Sequence, residues 1–133
     1  MPARAETIHL QVDTSKWPVV FLTCVGRASD AEWTGHLREI EEKVLARREP
    51  FVQVIDQTRI IAPDPIQRSM IVRHQIHMEH RYKQFCRGEV YVAPAEVQLV
   101  ISSVFCQARP AYPYTFVETM DEALRWAKGQ LGH

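Results

Sequence analysis

The sequence predicts an α/β fold: a sheet of about five mostly parallel strands with an antiparallel edge strand, packed by four helices. Two observations lead there. Apolar, β-branched runs alternate with helix-period segments in the order β-β-α-β-α-β-α-β-α, and parallel neighbours need such crossovers. Only the first two runs lack one. The turn cluster Asp13-Thr14-Ser15-Lys16 between them predicts a hairpin instead.

Thr7 to Val12 alternates, with Ile8, Leu10 and Val12 on one face, as a half-buried strand does. Val19 to Val25 is nearly all apolar and Gly26 ends it, which predicts a central strand. Ser29-x-x-Glu32 is a capping-box pattern, and Trp33, Leu37, Ile40 and Val44 form the apolar stripe of the helix it opens. Arg47 and Arg48 suit the negative end of that helix, and Pro50 stops it. Phe51 to Ile55 is a second central strand ending at Asp56, followed by a loop from Gln57 to Pro63. Asp64-Pro65 joins an N-cap acceptor to a proline at the first helical position. The helix it opens is expected to reach about Arg87, with Gly88 as its stop. Glu89 to Val92 is a short strand, and Pro94 opens a helix with Val97, Val100, Ile101 and Val104 inside. Tyr112 and Tyr114 are expected as exposed aromatics that wedge the loop before the last strand, Tyr114 to Val117. Thr119-x-x-Glu122 caps a closing helix to about Gly129.

A chain of 133 residues with 46% apolar and 24% charged residues is sized for one domain, residues 1–133 with a core over about 5–130. Sixteen basic against sixteen acidic side chains argue against a nucleic-acid partner, which needs a basic face. The longest apolar run, Trp17 to Leu22, is too short for membrane insertion, and the first residues hold no apolar secretion signal. A cytoplasmic location is therefore expected. Cys24, Cys86 and Cys106 fit that location as reduced thiols, with Cys24 and Cys106 expected inside. Neither a phosphate-binding glycine loop nor a nucleophile elbow is present, so no enzyme activity and no cofactor is expected.

The element order resembles the STAS fold of the SpoIIAA-like anti-sigma-factor antagonists. Asp56-Gln57-Thr58-Arg59-Ile60-Ile61-Ala62-Pro63-Asp64 is similar to the family's strand, Asp, loop and second Asp. Gly88-Glu89-Val90-Tyr91-Val92-Ala93-Pro94-Ala95-Glu96-Val97 resembles its Gly, strand and small-Pro-Ala turn. Glu118-Thr119-Met120-Asp121-Glu122-Ala123 resembles its last helix start. The resemblance implies a non-enzymatic regulatory or scaffolding domain that binds a partner protein through residues 57–69. Arg59, Asp64, Gln67 and Arg68 would form that surface, with Asp64 as the helix cap. One departure stands out. Pro65 occupies the place of the family's phosphorylated serine, so the phosphorylation switch is expected to be absent.

His74, His77 and His80 recur every third residue, each turned about 60° from the last. His74 falls near the centre of an apolar face made by Ile66, Met70, Ile71, Met78, Tyr82 and Phe85; His77 lies at its edge and His80 in solvent. Such a fan cannot close on one ion, and a His74–His77 pair would need Cys24 or His36 to join it, so no metal site is expected. His74, His77 and Arg81 are candidates for a ligand pocket or a pH sensor. The Arg81 stem is expected to snorkel rather than pair with Asp56. The second functional reading is a small-ligand domain, for lipid or nucleotide, of the kind related to STAS and Sec14-like proteins. The edge strand also offers a surface for a homodimer.

Overall fold

The computed structural model describes residues 8–132. Its strands β1 (Leu10–Asp13), β2 (Val19–Gly26), β3 (Phe51–Ile60), β4 (Cys86–Val92) and β5 (Tyr114–Val117) lie side by side in chain order. β1 runs antiparallel to β2, and the other neighbours are parallel. Helices α1 (Asp30–Lys43), α2 (Pro65–His77), α3 (Glu79–Phe85), α4 (Ala95–Ala108) and α5 (Met120–Leu131) complete it.

This strand order dictates the layers. The parallel crossovers all advance the same way across the sheet, and right-handed crossovers then fall on one face. That face carries Val20, Leu22, Cys24, Phe51, Ile55, Tyr91 and Ala93, in one cluster with residues of α1, α3 and α4. α5 follows the last strand and is free of the rule. It packs Ala123 and Ala127 on Val52, Val54, Val90 and Val92 of the opposite face. Strands covered on both sides read as continuous apolar runs, which is why β2 and β3 were visible in the sequence. The caps also form as expected: Ser29 Oγ accepts from the Glu32 amide at 3.1 Å and Glu32 accepts from the Ser29 amide at 2.9 Å. Thr119 Oγ1 accepts from the Glu122 amide at 3.2 Å.

Among the described residues five α-helices stand where four helices were expected, because the long helix breaks at Met78 into α2 and α3. Neither glycine nor proline causes the break. His74 Nε2 and the Tyr82 hydroxyl are 2.7 Å apart. Eight residues of straight helix would separate them by about 12 Å along the axis. Only a bent chain lets these two side chains meet.

Other boundaries also move. β1 begins at Leu10, and Ile8 is exposed rather than facing inward; Thr7 lies outside the described residues. β3 continues to Ile60, past the expected end at Asp56. β4 starts at Cys86, so Gly88 lies inside a strand and is no helix stop. Cys86 is buried and Cys106 exposed, the reverse of the expectation for Cys106. Ile66 is exposed instead of joining the apolar face of α2.

Gly88 has a packing reason. A Cβ there would stand 2.6 Å from the Trp126 ring and 3.2 Å from the Pro113 carbonyl oxygen. Gly88→Ala is therefore expected to cost about 1–3 kcal/mol in urea denaturation, through overpacking against α5. A change within about 0.5 kcal/mol would show that this contact has slack.

Candidate functional site

Parallel strands deliver their carboxyl ends, and the helix starts that follow, to one edge of the sheet, the edge where ligands gather in open α/β folds. At this edge Asp64 Oδ1 accepts from the Gln67 amide at 2.8 Å, and Gln67 Oε1 lies 3.4 Å from the Asp64 amide. Gln67 Nε2 also donates to the Ala28 carbonyl at 2.9 Å and to Asp30 Oδ1 at 3.0 Å. Gln67 is buried and ties α2 to the start of α1, so it positions the edge and does not face outward. Arg68 is half-buried and donates to the Pro63 carbonyl at 2.9 Å. Arg59 is exposed at the end of β3, near Arg27, which follows β2 and is exposed too. Among the described residues none of Arg27, Arg59 and Arg68 forms an ion pair. Ile61 and Ile66 are 50% and 65% exposed, one on each side of Pro63 and Pro65. The sequence reading missed these two isoleucines as surface groups.

A second candidate lies under the helices. On the face covered by α1, α2 and α4 a cavity of about 80 Å³ has mostly apolar walls. Gln53, Gln57, Gln75, Glu89, His36 and His74 also line it. Gln53 and Glu89 are register partners on β3 and β4, and both are essentially fully buried. The Tyr91 and Tyr112 hydroxyls reach Glu89 Oε1 at 2.9 and 2.6 Å. Tyr112 also lies 3.0 Å from the side-chain amide of Gln75. The Gln75 atom in contact is Oε1, an acceptor, so the single Tyr112 hydroxyl proton goes to Glu89 or to Gln75 and not to both at once. Tyr112 is therefore a core residue and not an exposed wedge.

Burial dominates the acid–base properties here. It pushes Glu89 up to about 7 against the pull of its two tyrosine donors. It pulls His36 and His74 down to about 4, so both are neutral at pH 7. The 3.7 Å separation of His74 Nδ1 from Glu41 is then too long for a hydrogen bond and involves no imidazolium. It raises the Cys24 thiol to about 12, a poor nucleophile. Four buried atoms have no hydrogen-bond partner among the described residues: His36 Nδ1, Gln53 Nε2, Gln57 Oε1 and His74 Nδ1. Each such group ordinarily costs about 1–3 kcal/mol.

Of the histidine run, only His74 reaches the cavity; His77 and His80 are exposed. His36, from the face of α1, is the partner that spacing along α2 could not supply. Arg81 donates to the Leu45 carbonyl at 3.4 Å, with no ion pair to Asp56. Among the described residues no three His, Cys, Asp or Glu side chains stand together as a metal site. Gln53 and Glu89 were missed, although each is a polar residue at an inward position of an apolar strand.

The raised Glu89 value fixes a pH dependence. Between about 4.5 and 7 the unfolded chain has lost this proton and the folded chain keeps it, so its contribution to stability falls as pH rises and then levels off. The two histidines act oppositely between about 4 and 6.5, where only the unfolded chain takes up protons. Glu89→Gln keeps an oxygen for both tyrosines and removes the first effect alone. Relative to wild type it is expected to gain on the order of 3 kcal/mol in urea denaturation between pH 5 and pH 8. An offset that is the same at both pH values would contradict a raised Glu89.

No family model and no curated protein sequence matches the chain. Solved structures do. A DUF3478-family protein from Shewanella loihica PV-4, with a SpoIIAA-like fold, superposes with a TM-score of 0.63 at 14% identity, over 94% of this chain and 99% of that one. An anti-sigma factor antagonist from Mycobacterium paratuberculosis superposes with a TM-score of 0.56 at 14% identity, over 90% and 92%. At that identity the likeness speaks for the backbone, and the α/β expectation is met: this chain has a SpoIIAA-like fold.

Proposed function

We propose that the chain is a single non-enzymatic regulatory domain that acts in the cytoplasm by binding a partner protein at the carboxyl edge of its sheet. The observation that carries this reading is that Ile61 and Ile66 are exposed on either side of Pro63 and Pro65, in the same segment as Arg59 and Arg68. Exposed apolar side chains in one segment with cations that form no ion pair among the described residues fit a partner face with an apolar pocket and acidic surroundings. Arg59 and Arg68 meet that face together with the isoleucines. Asp64 and Gln67 hold the start of α2 in place. The fold likeness to an anti-sigma factor antagonist supports a regulatory, protein-binding role. The proline at position 65 leaves no hydroxyl beside Asp64 to phosphorylate, so binding here runs without that switch.

The test is affinity capture from the source organism's lysate with wild-type and Arg59→Glu, Ile66→Asp baits. Both altered side chains are exposed, so the variant is expected to melt like wild type. A Lys83→Glu bait, changed on α3, serves as the control. A partner held by wild type and control, and weakened at least tenfold by the double variant, is the expected result. Equal retention on all three baits would place binding elsewhere, and no specific partner on any of them would contradict the regulatory reading.

A further inference from the structure

We infer that the chamber beneath α1, α2 and α4 is a binding site for a small uncharged molecule that carries a hydrogen-bond donor and an acceptor on an apolar body. This goes beyond docking at the sheet edge and rests on separate residues. Three observations fix the chemistry. Gln53 is 1% exposed, yet among the described residues its Nε2 has no acceptor and Gln57 Oε1 has no donor. Both sit on inward positions of β3 and both line the chamber. A ligand acceptor for Gln53 and a ligand donor for Gln57 or the His36 ring satisfy what the fold leaves open.

The charge balance of the walls selects against ions. No Lys or Arg lines the chamber, and Glu89 is its only acidic group. An anion entering here would meet no cation, and a buried ion without a partner is strongly disfavoured. The neutral histidines and the glutamines instead offer dipoles that read a neutral molecule.

Size narrows the class further. A cavity of about 150 Å³ accepts benzene. This one measures about 80 Å³, which suits a five-membered ring or a compact carboxamide. Leu37, Ile71 and Val100 line it but are only half-buried, and they mark where α1, α2 and α4 leave a way in. The competing occupant is water. The volume holds about two or three molecules, but each needs several polar partners, and most of the wall is apolar.

Pyrazole is the probe: a neutral ring with N–H beside an acceptor nitrogen. Thiophene is its apolar ring counterpart and acetate a small anion. Titrations are followed by the side-chain amide resonances of Gln53 and Gln57 in ¹⁵N-labelled protein. Pyrazole is expected to shift them saturably, at least tenfold more tightly than thiophene, with no effect of acetate. Gln53→Leu is expected to weaken pyrazole at least tenfold and to leave thiophene unweakened. If that variant does not fold, the comparison of the three probes on wild type decides alone. Thiophene binding as well as pyrazole would mean an apolar void. No saturable shift with any probe, with water contacts to Gln53 unchanged, would mean internal water only. Either result overturns the proposal.

Discussion

The fold is arranged around a carboxyl group that cannot reach water. Glu89 sits in the middle of the sheet, 2% exposed, on the face that three crossovers cover. A charged carboxylate there would need a cation, and none faces it. The solution is a raised affinity for the proton and two phenol donors. Those donors come from different parts of the chain: Tyr91 from the same strand and Tyr112 from the loop before β5. Tyr112 in turn holds Gln75 of α2 and packs on Tyr82 with ring centroids 5.5 Å apart. Tyr82 reaches His74, and that contact requires the bend at Met78. The helix break, the loop and the central strand are thus joined by one series of contacts that ends at the buried acid.

The two faces of the sheet divide the work. Beneath α5 the buried packing is small and apolar, with Ala123 and Ala127 on four valines. Beneath α1, α2 and α4 polar residues interrupt the apolar layer, and the cavity opens where the side chains cannot close over them. Pro63 links the two candidate surfaces. It lines the cavity, its carbonyl holds Arg68, and it stands between the exposed Ile61 and Ile66.

Local chemistry was legible and tertiary chemistry was not. Ser29-x-x-Glu32, Asp64-Pro65 and Thr119-x-x-Glu122 are complete within four residues or fewer, so helix starts could be read directly. The valine-rich strands announced a sheet covered on both sides. The break at Met78 could not be read, because its cause is a pairing of residues eight apart that a helix pattern places on different turns. Ile66 shows the same limit from the other side: it continues the apolar period of α2, yet α2 turns it outward at the sheet edge. Gln67 looked like a surface residue until the fold brought Ala28 and Asp30 beside it. Gln53 and Glu89 did leave a sign, a polar letter at an inward position between apolar neighbours, and periodicity alone was enough to question them.

The central claim is that Glu89 keeps its proton inside the sheet. The direct measurement is a pH titration of the Glu89 side-chain carboxyl carbon by NMR in the intact, ¹³C-labelled chain. The account predicts a midpoint near 7, well above that of the exposed glutamates. A midpoint at or below the ordinary value of 4.5 would mean that the carboxylate is charged in the folded state and that its two tyrosine donors outweigh burial.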